Sequence, residues 1–196
     1  TATATYTLDG DGVEESATLA LRIVGGVSAP FGVNVGGEQP VTVDGLEFVT
    51  LPARSVTAVG NPSTSGTEDP IAGTEDDALY QSLQYGSDIG YEVEIENGTY
   101  DVALYFVENY WRESGSGDGV VDDAEGQRVF SVSIEDEQVI EELDIYAEAG
   151  HDTALTRTIE GVEVTDGVLS IGTTTLADNS TFSGIAIHPS DPLQNG

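Results

Sequence analysis

The chain contains no cysteine, no methionine and no lysine. Without cysteine there is no disulfide framework, no thiol nucleophile and no zinc site of the cysteine-containing kind, and the redox compartment is left undetermined. Histidine is scarce, with His151 and His188 alone, and neither sits in a motif that would activate a serine. Positive charge is scarcer still. Five arginines (Arg22, Arg54, Arg112, Arg128, Arg157) face 36 acidic residues, for a net charge of −31. Such a surface repels nucleic-acid phosphates and anionic membranes. No apolar run approaches the ~18 residues that would cross a bilayer, so membrane insertion is not expected. A start without methionine and without a leader-like segment is expected of a processed product or an excised domain.

What is present is acid, spread along the chain rather than gathered in a tail, together with abundant threonine and glycine. At low ionic strength this charge works against compactness. At molar salt the Debye length falls to about 3 Å and the repulsion is screened. A salt-adapted, secreted or surface protein is the expectation. The 196 residues suit one domain able to bury roughly two-thirds of its unfolded surface.

The periodicity is that of strands. Leu19, Leu21 and Ile23 alternate with small or polar residues, as do Tyr91, Val93 and Ile95 with glutamates and Phe130, Val132 and Ile134 with serines. Asn97-Gly98 and Asp166-Gly167 read as turns. Tyr100 to Val107 is apolar at nearly every position after Asp101, which suits a central strand buried on both faces. No segment holds helical periodicity for 12 residues, and Ala78 to Leu83 offers one helical turn at most. Gly60 to Asp77 and Arg112 to Gln127 read as long polar loops, a length often tied to function. The expectation is an all-β jelly-roll sandwich of two antiparallel sheets. Its divisions would be residues 1–29 as N-terminal strands or an extension, 30–190 as the sandwich and 191–196 as a tail. Strand-like alternation over Thr1 to Leu8 and Ser16 to Val24 favours a first hairpin of the sandwich over the end of a preceding domain.

Aromatic placement points to a ligand. Tyr80, Tyr85, Tyr105 and the Tyr110-Trp111 pair fall in two segments, and Tyr110-Trp111 stands where the buried strand runs into a long acidic loop beside Glu108 and Asn109. A sugar ring offers an apolar face of C–H groups bordered by hydroxyls, which aromatic faces and carboxylate or amide groups match. A Trp that plugs the end of the sandwich is the competing reading. Asn34 with Gly36-Gly37 reads as a structural turn that exploits glycine's access to positive φ, His151 as a hydrogen-bond donor that fixes a loop, and Glu108 equally as a hydroxyl acceptor or a backbone acceptor. The loop carboxylates Asp118, Asp122, Asp123 and Glu125 supply hard oxygen ligands that suit calcium, with Asp9-Gly10-Asp11-Gly12 a shorter second site. In so acidic a chain a solvated charge run is the default reading of both. Paired carboxylates for glycoside hydrolysis are uninformative among 36 acids.

Several segments in order carry a resemblance: Gly32-Val33-Asn34-Val35-Gly36-Gly37 with Val43-Asp44-Gly45-Leu46-Glu47-Phe48; Leu79 to Gly86, with its Tyr-Gln start and closing Tyr85; Asn97 to Glu108; Arg128 to Val132; Leu143-Asp144-Ile145; Gly150 to Ala154; and Phe182 to Ile185. From about Gly32 to Ile187 the chain resembles the malectin family. The resemblance implies a jelly-roll sandwich that binds glucose-type oligosaccharide without catalysis, in an aromatic cleft made by loops, often as an accessory module attached to a larger secreted or surface protein. It implies Tyr85, Tyr110, Trp111 and Asp178 as carbohydrate-binding residues, with Glu108 and Tyr80 of second rank. The chain departs from the family in having no tyrosine between Gly60 and Asp77, which weakens the implied preference for a glucose disaccharide. A structural subunit of a surface appendage, cell wall or virion, self-assembled through the sandwich, is the alternative function.

Overall fold

The computed structural model describes the backbone of residues 2–10 and 13–21 and the complete residues 26–190. β1 (Ala2–Gly10) and β2 (Val13–Leu21) pair antiparallel, from Ala2 opposite Leu21 to Gly10 opposite Val13, as a two-stranded sheet of their own. Asp11 and Gly12 of the shorter calcium candidate lie outside the described residues. There follow β3 (Phe31–Asn34), β4 (Val41–Val43), β5 (Leu46–Thr50), β6 (Val56–Val59), β7 (Ser63–Gly66), α1 (Asp77–Tyr80), β8 (Ser82–Gly86), β9 (Gly90–Glu94) and β10 (Gly98–Phe106). The second half of the chain forms β11 (Val129–Ile134), β12 (Glu137–Leu143), α2 (Ile145–Ala149), β13 (Leu155–Val164), β14 (Val168–Ala177), β15 (Ser180–Phe182) and β16 (Gly184–Pro189).

Two sheets make the sandwich. One has six strands in the order β13-β10-β16-β3-β5-β4, and the other has five in the order β12-β11-β14-β9-β6. Pairing is antiparallel except between β3 and β5, which run parallel because the β4 hairpin returns the chain to the same side. That hairpin closes through Asp44-Gly45, both at positive φ (+50° and +81°), as a two-residue turn of this twist requires. β15, β8 and β7 form a third, three-stranded sheet.

The main core lies between the two large sheets. Val102, Leu104 and Phe106 of β10 meet Tyr91 and Val93 of β9, Phe130 and Val132 of β11, and Leu169 and Ile171 of β14. The opposite face of β10 is also covered: Ala103 and Val107 join a second cluster with Phe48, Leu79, Tyr80 and Leu83. The central strand is thus buried on both faces, as its apolar run predicts.

Three local expectations are corrected. Gly60 to Asp77 is not structureless, since it contains β7, paired with β8, and Ile71 packs into the second cluster. Asn97-Gly98 closes no hairpin: β9 and β10 belong to different sheets, and Asn97 Nδ2 donates to the Thr165 carbonyl at 2.6 Å as the chain crosses between them. Gly36 and Gly37 are needed for close approach rather than for positive φ. A Cβ on Gly36 would stand 2.3 Å from the Leu83 amide nitrogen, and one on Gly37 would stand 2.1 Å from Asn34 Nδ2. Asn34, 1% exposed, is the turn's acceptor and donor, taking the Gly37 amide at 3.0 Å and donating to the Gln39 carbonyl at 3.2 Å.

Candidate functional site

β10 delivers the chain to the site. Past Phe106, Val107 and Glu108 remain buried, and the Glu108 carbonyl accepts the Asp152 amide at 2.8 Å. The chain then emerges as Asn109, Tyr110 and Trp111. Glu108, 1% exposed, folds beneath this turn, and its Oε1 accepts the amides of Tyr110 and Trp111, each at 2.9 Å. Its Oε2 accepts Arg128 Nε at 2.6 Å. Arg128 Nη1 donates to the Asn179 carbonyl at 3.1 Å and lies 3.2 Å from Asp178 Oδ2. The same Oδ2 accepts the Trp111 indole Nε1–H at 3.1 Å, while Asn179 Nδ2 donates to Oδ1 at 2.7 Å.

Tyr110 is 43% exposed and meets the half-buried Trp111 edge-on, with ring centroids 4.9 Å apart and planes at 83°. His151 holds the turn from the other side. Its Nδ1 lies 3.0 Å from the Trp111 carbonyl, and since a carbonyl only accepts, Nδ1 is the donor of that bond. Its Nε2 faces Asp152 Oδ2 at 3.2 Å. Burial raises the Asp152 carboxyl above the usual carboxylate range, and His151 partly offsets this. Arg112 closes the following loop through the Tyr110 and Ser116 carbonyls at 3.1 and 2.9 Å.

Tyr85, Tyr110, Trp111 and Asp178 all face one cleft of about 480 Å³, with Arg128 at its floor. The four first-rank residues come from β8, the end of β10 and the turn between β14 and β15, and the structure brings them together. Neither second-rank residue lines this cleft. Both oxygens of Glu108 are engaged below it, so the residue serves the backbone and Arg128. Tyr80, 4% exposed, hydrogen-bonds Thr156 Oγ1 at 2.8 Å and packs 6.0 Å from Tyr105 in the second cluster. Burial among these rings pushes the Tyr105 phenol up to about 12.

Among the described residues no three carboxylate or imidazole side chains converge, so Asp118, Asp122, Asp123 and Glu125 are not gathered around a point. Asp123 instead turns back to accept the Glu125 amide at 3.1 Å.

Sequence reasoning missed Arg128, Asn179 and Ser65 as cleft residues. Arg128 had a usable signal: one of five cations among 36 acids, placed directly before an apolar strand, is a natural partner for a buried carboxylate.

An all-β sandwich with an aromatic and polar cleft built where β10 ends and β14 turns into β15 is the class of domain defined by the fold and site. The Malectin domain family matches residues 30–193, and the chain belongs to that family. It is 32% identical over 185 residues to Malectin-A of Xenopus laevis, covering 86% of this chain and 59% of the relative. To Malectin of Homo sapiens it is 35% identical over 161 residues, covering 80% and 49%. The chain thus spans about half the length of the curated relatives it matches. In fold it is similar to a Bacteroides uniformis beta-glucuronidase (TM-score 0.70, 21% identity, 96% of this chain and 22% of that one). It is likewise similar to the plant receptor-like kinase FER (TM-score 0.65, 17% identity, 85% and 43%). No helix among the described residues is long and apolar enough to cross a membrane.

Proposed function

We propose that this chain is a non-catalytic carbohydrate-binding domain that takes a glucose-type oligosaccharide or polysaccharide in the cleft of Tyr85, Tyr110, Trp111 and Asp178. It would serve as part of a secreted or surface protein. The observation that carries this reading is the Tyr110–Trp111 pair, out of the core and standing over a cleft that also holds Tyr85, a carboxylate, amides and a guanidinium. The rings supply stacking surface for C–H faces, and Asp178, Asn109 and Asn179 supply acceptors and donors for hydroxyls.

Membership of the malectin family supports a sugar as ligand. Asp178 is the one carboxylate among the described residues that line the cleft. Stacking with few hydrogen bonds gives modest affinity, roughly micromolar to millimolar. A glycan array probed at molar salt tests the proposal. Retention of gluco-oligosaccharides is expected, and an array with no sugar retained would reject it.

A further inference from the structure

Two of the three segments that build the cleft, the end of β10 and the turn between β14 and β15, meet in one side chain. Arg128, 7% exposed, contacts Glu108 at the end of β10 through Nε, and the turn between β14 and β15 at both Asp178 and Asn179 through Nη1. Glu108 in turn holds the amides of Tyr110 and Trp111, and Asp178 holds the Trp111 indole. A planar guanidinium with donors in fixed directions is the group able to satisfy a carboxylate on one side and a carboxylate and a carbonyl on the other. We infer that Arg128 is the positioning residue of the cleft: through Glu108 and Asp178 it sets the Tyr110–Trp111 pair in its ligand-ready arrangement before any ligand arrives.

Two buried or half-buried carboxylates within reach of one another would repel and splay the loops apart. Arg128 converts that repulsion into a tie. Asp178 is thereby doubly constrained, by the indole N–H and by the guanidinium on the same oxygen. The carboxylate expected to meet a sugar hydroxyl is also the one that fixes the stacking ring. The inference rests on the carbohydrate-binding reading only in its second readout.

The test uses the fact that Trp111 is the sole tryptophan of the chain, so its fluorescence reports on that indole alone. Two variants are compared with the wild type at molar KCl. Arg128→Lys keeps the charge and loses the fork. Glu108→Gln with Arg128→Met removes both charges of the buried pair and leaves only the partly exposed Asp178 without its guanidinium. With native circular dichroism retained, both are expected to show higher acrylamide quenching of Trp111 and longer-wavelength emission without ligand. Binding of maltotetraose is expected to weaken about tenfold, the loss of one charge-assisted hydrogen bond. Wild-type quenching and emission in the folded variants would overturn the inference, as would failure of both variants to fold, which would make the pair a requirement of the fold. A wild type that ignores maltotetraose would count against the carbohydrate reading alone, since the ligand-free fluorescence still decides the role of Arg128.

Discussion

Tyr80 and Tyr85 are five residues apart, yet one is packed in a cluster behind the six-stranded sheet and the other walls the cleft. Both are tyrosines on short elements of one segment and both pack on the second cluster, but Tyr80 lies inside it at 4% exposed while Tyr85 sits at its margin, part-exposed to the cleft. Tyr110 and Trp111 were legible because two large aromatics follow directly on an apolar strand that has already filled the core. For Arg128 the sequence signalled only a rare cation in want of a carboxylate; which carboxylates it ties depends on the fold bringing in Glu108 and Asp178, 20 and 50 residues away. Tyr80→Phe removes the hydrogen bond to Thr156 and is expected to cost about 1 kcal/mol of stability, measured by urea unfolding, while leaving sugar affinity unchanged. A loss of affinity would bring Tyr80 back to the site.

Among the elements, β10 was the most legible, since both its faces are apolar and both are covered. Phe106, fully buried against Phe130 and Phe182, anchors it. Phe106→Ala is expected to destabilise by about 3–5 kcal/mol, read from the shift in urea midpoint. The bulge beside it was not legible. Glu160 and Gly161 of β13 oppose the single Asp101 of β10, and Asp101 Oδ1 accepts the Ser190 hydroxyl at 2.5 Å and the Gly161 amide at 3.0 Å. Those bonds, the Ser190 one foremost, hold the Asp101 carboxyl below its ordinary value. A depressed folded-state value adds stability above the unfolded value of about 3.9 and loses it as pH falls through the folded one. Asp101→Asn should therefore lower stability at pH 7 and lose that deficit in acid as the carboxyl is protonated; an equal deficit at pH 7 and in acid would contradict the assignment. α2 escaped sequence reading because it is five residues long, although Asp144 caps it by accepting the Ala147 amide at 3.0 Å and Gly150 ends it.

Over the whole molecule, the all-β class was legible from alternation and turn residues, but the two-sheet order and the parallel β3–β5 pair depend on long-range pairing that periodicity does not encode. Net charge acts at this scale too. With −31 charges and no lysine, the melting temperature should rise steadily from 0.1 to 3 M KCl as screening shortens the reach of repulsion, and a flat profile in differential scanning calorimetry would remove the case for salt adaptation. Binding by stacking and uncharged hydrogen bonds should survive the same salt. Isothermal titration of wild type and Trp111→Ala with the tightest-binding gluco-oligosaccharide from the array, in 2 M KCl, therefore tests the central claim most directly. Saturable binding by the wild type and none by a Trp111→Ala variant with native circular dichroism is the predicted result. Equal binding by the two proteins would contradict it and place the ligand elsewhere on the sandwich.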